Sequence, residues 1–300
     1  MTNSIDAPSW NPFDPDFLLD PYPQYARLRD EDPVHRTPLG VLVVSRYDDA
    51  HQVLRDPQTS VRRFETSETT PEHMLPLRDR QDERVPSILG LDPPDHTRLR
   101  KLVQRTFTPR AIGRMRDQTT AIVDDLLDEL SDRDEIDLIA DYAFVIPFAV
   151  IHAMLGLPKA DVAQVRAWSH ALTQTLEPFL TPEQVDAAMD AAVHMDQYLT
   201  EAIAAKRQSP AADLLTDLVQ VEEEGDRMTE AELLSMTSLL FVAGHETTVN
   251  LIGNGTHALL RHPDQMDLVR TDESVDTTVA DELLRYDSPV QTSGRRVMHD

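Results

Sequence analysis

The 300-residue sequence contains no cysteine, which excludes disulfides and thiolate metal sites within these residues and fits a reducing compartment. It also lacks any stretch approaching the roughly eighteen uninterrupted apolar residues that span a bilayer. Its N-terminal segment holds acids and prolines in place of a basic, apolar signal sequence. The expected location is therefore cytoplasmic, with no membrane partner. Positive charge is scarce: 28 Lys and Arg stand against 53 Asp and Glu, a formal net charge of −25. Such a surface repels nucleic acid and anionic lipid, so neither is an expected partner. What remains is 40% hydrophobic and 27% charged residues, the composition of a soluble globular protein with enough apolar mass for a large core.

The charge is unevenly distributed. Residues 96–116 carry Arg98, Arg100, Lys101, Arg105, Arg110, Arg114 and Arg116 and no acid, which reads either as a solvated helix pair or as a dock for a small acidic partner. Tyr22 to Asp30 reads as a short helix, and residues 34–47 as two strands turning near Pro38-Leu39-Gly40. Beyond this small β region the apolar residues recur with helical period over about 48–56, 95–107, 109–131, 140–155, 159–176, 182–207 and 211–221. Residues 57–92 are the exception, a polar stretch expected to be a long functional loop. With no internal repeat and no linker, a single domain over residues 1–300 is expected.

Met228-Thr229-Glu230-Ala231-Glu232 is a capping box, with Thr229 and Glu232 positioned to satisfy each other's amides. Nothing stops the helix it starts before Arg261-His262-Pro263, so a helix of about 32 residues, roughly 48 Å long, is predicted. Residues 233–242 are apolar on almost every face, as in a helix crossing the centre of a large protein. Into it Ala243-Gly244-His245-Glu246-Thr247-Thr248 inserts a helix-weakening glycine, a buried acid and two hydroxyls. One reading is that Gly244 lets a flat ligand lie against the helix while Glu246 and Thr247 relay protons. Another is a kinked structural helix, in which Thr247 bonds back to the carbonyl four residues earlier and Glu246 reaches solvent. A third, the zinc-hydrolase pattern His-Glu-x-x-His, fails where its second histidine should be, at Val249. His96 and Arg100, four apart after Pro93-Pro94-Asp95, project from one helical face and can bind an anion together. Glu282 and Arg285, three apart, suit a salt bridge.

In order along the chain, Asp92-Pro93-Pro94-Asp95-His96-Thr97-Arg98-Leu99-Arg100, Phe107-Thr108-Pro109-Arg110, Ala243-Gly244-His245-Glu246-Thr247-Thr248 and Glu282-Leu283-Leu284-Arg285 resemble the bacterial cytochrome P-450 family. The resemblance extends from Asp20-Pro21-Tyr22-Pro23 to Arg295-Arg296-Val297-Met298-His299-Asp300. It implies a mainly α fold with small β-sheets, the family's triangular helical prism, with its C-terminal part absent from these residues. The implied cofactor is haem b, iron protoporphyrin IX. His96 and Arg100, with Arg295 as a third donor, would bind its propionates. Ala243 and Gly244 would lie against its distal face, and Leu89 and Phe107 would make apolar contacts. Glu246, Thr247 and Thr248 would be the catalytic group delivering protons to bound dioxygen, and Glu282 with Arg285 a structural pair.

The implied activity is insertion of one atom of O2 into a small apolar organic substrate, by hydroxylation or epoxidation. The implied electron source is a ferredoxin with its ferredoxin reductase, and a monomer is expected. A noncatalytic, haem-poor relative that binds a ligand or partner is the alternative, against which Glu246 and Thr247 speak. The family's axial cysteine is expected beyond Asp300, so that residues 1–300 alone would be inactive. The pocket-lining residues are expected in 57–92 and around 170–185, which leaves the substrate's identity open.

Overall fold

The computed structural model describes residues 8–12, 14–38, 40–62, 72–158, 162–175, 180–221 and 225–298, without the side chains of Arg78, Gln81, Asp82, Arg110 and Ala111. The described residues divide into two compact units, one drawn from 1–63 and 294–300 and one from 64–293.

In the first unit, α1 (Pro15–Leu19) is capped by Asp14, whose carboxylate accepts from the amide of Asp16. α2 (Tyr22–Glu31) leads into an antiparallel hairpin of β1 (Val34–Arg36) and β2 (Leu42–Val44), in the register Val34 to Val44. The turn between them carries Gly40 at φ +80°, the left-handed region where a glycine costs least. Leu39, part of the turn read from sequence, lies outside the described residues. α3 (Tyr47–Arg55) follows, and β3 (Thr59–Ser60) pairs with β4 (Arg296–Val297).

The second unit is helical: α4 (Leu75–Glu83), α5 (Asp95–Thr106), α6 (Pro109–Leu130), α7 (Val145–Leu155), α8 (Val162–Gln174), α9 (Pro182–Gln208), α10 (Leu214–Gln220), α11 (Glu230–Arg261), α12 (Pro263–Thr271) and α13 (Val279–Tyr286). Its core joins Phe148, Ile151 and Leu155 of α7, Met195 and Leu199 of α9, Leu215 and Leu218 of α10, and Leu233, Met236, Phe241 and Val249 of α11. The segment Leu138–Leu155, a π-helical turn followed by α7, has a mean hydropathy of 1.9. Phe144, Ile146, Phe148, Ile151 and Leu155 within it are buried, and it packs against α6 and α11. Its apolarity is that of a core helix.

Two expectations change. Part of the stretch read as a loop is helical: α4 lies within it, between 3-10 turns at Glu72–Met74 and Ile88–Gly90. Leu77 is the buried anchor of α4, packed with Leu180, Val185 and Ala188. Charge does the rest. Arg80 and Arg84 both donate to Asp196 Oδ2 on α9, at 3.0 and 2.6 Å. Residues 63–71 of the same stretch lie outside the described ones. The second change concerns α11, which begins and ends where its cap and Pro263 place it. It is buried along one stripe, Leu233, Met236, Thr237, Phe241, His245 and Val249, and not all round. Ser235, Leu239, Leu240, Glu246 and Thr247 are half-buried, and Ala243 and Gly244 are exposed.

Candidate functional site

The capping box of α11 forms as read, with the Thr229 amide donating to Glu232 Oε2 at 2.8 Å and the Glu232 amide donating to Thr229 Oγ1 at 3.2 Å. Glu232 does more. Its Oε1 accepts from Arg98 of α5, whose Nη1 also donates to Asp226 at 3.2 Å. Burial disfavours the Arg98 charge, but these two carboxylates hold its pKa above the ordinary value. Arg98 therefore does not belong to an open basic face. Arg100, Lys101, Arg114 and Arg116 remain exposed in that run, and the Arg110 side chain lies outside the described residues.

On the same helix His96 is half-buried and Arg100 exposed, and neither shows a carboxylate partner among the described residues. Four residues apart, they project from one face of α5. An imidazole and a guanidinium on one helical face form a donor set for paired carboxylates.

The polar break of α11 presents three side chains that bond back to carbonyls one turn earlier. His245 Nδ1 donates to Phe241 O at 3.1 Å, Thr247 Oγ1 to Ala243 O at 3.0 Å and Thr248 Oγ1 to Gly244 O at 3.2 Å. The Thr247 bond is the one the structural reading of this helix anticipates. It does not disable the hydroxyl, which keeps two lone pairs as acceptors. Glu246 retains about a fifth of its side-chain exposure, and its Oε2 lies 3.8 Å from His245 Nε2.

Gly244 also faces a neighbouring helix. A Cβ there would meet Ile151 of α7 at 3.0 Å from Cδ1 and 3.2 Å from Cγ1. The missing side chain therefore lets a neighbouring helix approach on that side. The same holds further along, where Gly253 faces Ile139 and Gly255 faces Leu283 of α13. What remains open beside Ala243 and Gly244 is the small-residue surface of the helix itself.

Leu89 is 67% exposed, whereas Phe107 is packed against the main core. The Glu282 carboxylate accepts from Arg285 Nε and Nη2, both at 2.7 Å. These bonds lower the Glu282 pKa and raise that of Arg285. Arg295 belongs to the first unit, where its Nη1 donates to Gly294 O at 2.7 Å. The buried aromatic cage around His245, formed by Phe144, Phe148 and Phe241, has no sequence signal beyond the apolarity of its two helices.

The residues present fit a haem. A flat apolar face has an exposed Ala-Gly surface to meet, and two propionates have an imidazole and a guanidinium on one face of α5. The family described as Cytochrome P-450 matches residues 34–300. Cytochrome P-450 107B1 of Saccharopolyspora erythraea is 41% identical over 293 residues, covering 95% of this chain and 70% of the relative. Cytochrome P-450 monooxygenase PikC of Streptomyces venezuelae is 42% identical over 288 residues, covering 94% of this chain and 66% of its own. The crystal structure of P-450BioI in complex with hexadec-9Z-enoic acid ligated acyl carrier protein superposes with a TM-score of 0.83 at 31% identity, over 94% of this chain and 72% of that one. The chain belongs to the cytochrome P-450 family. It spans roughly two thirds of the length of its curated relatives.

Proposed function

We propose that the protein is a haem b-dependent monooxygenase that inserts one atom of O2 into a small apolar organic substrate, with two electrons delivered by a ferredoxin and its reductase. The observation that carries this reading is the exposed Ala243-Gly244 surface at the middle of α11 with Glu246 and Thr247 immediately beyond it. When bound, the haem supplies oxygen activation and transfer to the substrate carbon. The protein's own residues supply binding and protons. His96 and Arg100 hold the propionates, and Ala243, Gly244 and Leu89 line the ring. Thr247 Oγ1, its own hydrogen engaged at Ala243 O, offers lone pairs to an incoming proton. Glu246, partly exposed, picks that proton up from solvent and carries it inward, and Thr248 stands beside the route. Glu282 and Arg285 brace α13 and take no part in the chemistry. Apolar substrate preference is supported by the acyl chain carried in the complex of the P-450BioI relative.

The test uses the full-length gene product loaded with haem. A reduced carbonyl spectrum of the thiolate-ligated type is expected. In Thr247→Val and Glu246→Gln, oxygen consumption should continue while product formation falls on the order of 10²-fold, the worth of a positioned proton donor, and hydrogen peroxide accumulates. Unchanged product yield per oxygen in both variants would sink the assignment of the relay.

A further inference from the structure

His245 has the least expected environment in the molecule. It is fully buried, with 0% exposure, among Phe144, Phe148 and Phe241, whose ring centroids lie 5.5, 6.3 and 5.8 Å from its own. Its Nδ1 is occupied as a donor to the Phe241 carbonyl. That bond fixes the tautomer of the neutral ring, leaving Nε2 as a lone-pair acceptor. Nε2 is buried without a hydrogen-bond partner among the described residues. Buried polar atoms are rarely left so, because an unmade bond costs more than a made one returns. Glu246 Oε2 lies 3.8 Å away, roughly half an ångström beyond hydrogen-bond range.

We propose that His245 is the positioning residue of the proton route: its Nε2 accepts a hydrogen bond from the protonated Glu246 carboxyl and so holds the acid in its neutral, loaded form. The idea rests on the monooxygenase reading and adds to it the residue that docks the acid. The cycle balances without electron movement. A solvent proton binds a Glu246 carboxylate oxygen, and the new O–H donates to His245 Nε2. The carboxyl group then turns and gives that proton to Thr247 Oγ1 while the hydroxyl's own hydrogen leaves its bond to Ala243 O and passes on into the pocket, so that Thr247 remains a neutral alcohol. Release regenerates the carboxylate and leaves Nε2 open.

The surroundings decide which partner carries the proton. Burial, the largest influence, lowers the His245 pKa. The Phe241 carbonyl and Glu246 oppose that shift, and Arg166 of α8 reinforces it. Arg166 places its guanidinium 4.0 Å from the centroid of Phe144. From α7, His152 stacks on Phe148 and is itself lowered by burial against the bond to Pro158. Among the described residues Glu246 is the one carboxylate that acts on His245, and burial disfavours an imidazolium there. A merely structural histidine would satisfy Nδ1 and pack, and its Nε2 would be indifferent to the protonation of Glu246.

Infrared difference spectra of the haem-loaded full-length protein test this directly. The protonated-carboxyl band of Glu246 is identified by its loss in Glu246→Gln. It should move to higher wavenumber in His245→Phe, which fills the cage but cannot accept, and stay near its wild-type position in His245→Gln, which can. Should His245→Phe fail to fold, the nitrogen NMR signal of His245 Nε2 in the diamagnetic reduced carbonyl state decides. It should change in Glu246→Ala, a substitution at a partly exposed position. The fraction of oxygen converted to product should also fall at a lower pH in His245→Phe than in the wild type, shifting the upper limb of the pH profile toward acid, with His245→Gln restoring it. A Glu246 band unmoved in His245→Phe, or an Nε2 signal identical in wild type and Glu246→Ala, overturns the proposal. Absence of the thiolate-type carbonyl spectrum would instead refute the monooxygenase reading, so the two failures are distinct.

Discussion

Substituting Gly244 by alanine separates two reasons for a glycine at the middle of α11. Alanine gains about 1 kcal/mol of helix propensity over glycine. Its Cβ, however, lands 3.0 Å from Ile151 Cδ1 and 3.2 Å from Cγ1, and overpacking of that kind costs about 1–3 kcal/mol. The net expectation is a loss of about 0–2 kcal/mol. Ile151, 4% exposed, can be cut to valine for about 0.5–1.5 kcal/mol, and that change deletes Cδ1, the atom nearest the new methyl. The double variant should therefore be more stable than the sum of the single changes by about 1 kcal/mol, the size of coupling between residues in contact. Equilibrium urea unfolding of all four proteins measures this, and haem titration of the same set supplies the contrast. Additivity within about 0.5 kcal/mol, together with haem binding weakened in Gly244→Ala and not relieved by Ile151→Val, would show that the space belongs to the ligand and that the packing argument is wrong.

Stability should also depend on pH through the buried histidines. Burial holds His245 and His152 below their ordinary value of 6.5. Between the folded and unfolded values the unfolded chain binds more protons, so stability rises with pH there. It is fully present above about pH 6.5 and lost as pH falls, and thermal melts of His245→Gln should show a shallower acid limb than wild type. Asp196→Asn should release α4 from α9. Since the three side chains retain 23–29% exposure, the loss should be about 1–3 kcal/mol and local, read as faster proteolysis within α4. Arg100→Gln should weaken haem binding about 10- to 100-fold, the worth of one charge-assisted hydrogen bond, as measured by haem transfer to an acceptor protein. Arg114→Glu should slow reduction by ferredoxin at low ionic strength, with the difference shrinking as salt is added.

Where the fold was readable, local chemistry and tertiary packing agreed. Thr229 and Glu232 cap α11, Pro263 ends it, and α9 starts at Thr181-Pro182 with the same reciprocal cap to Gln184. The antiparallel hairpin at Val34–Val44 also follows the strand signals. α4 was missed because its sequence has no apolar period: one leucine anchors it, and the rest is charge answering an aspartate more than a hundred residues away. Arg98 was misread for the same reason, since Asp226 and Glu232 are neighbours only in three dimensions. Of the candidate site, the acid, the hydroxyls and the donors of α5 were legible as residue types at helical spacing. The direction in which Gly244 faces and the cage around His245 were not, because both depend on which face of α11 meets α7. His245 attracted notice only as half of a zinc pattern, while its packing carries a different message.

Glu232 serves two masters: one carboxylate oxygen closes the start of α11 and the other receives Arg98 from the helix bearing His96 and Arg100. In evolutionary terms this makes positions 98, 226 and 232 a single heritable unit. Loss of the acid at 232 uncaps one helix and leaves Arg98 of another with Asp226 alone, so neutral drift should pass through paired exchanges and not single steps. Recombining α5 of one relative with α11 of another should succeed or fail according to whether all three positions travel together.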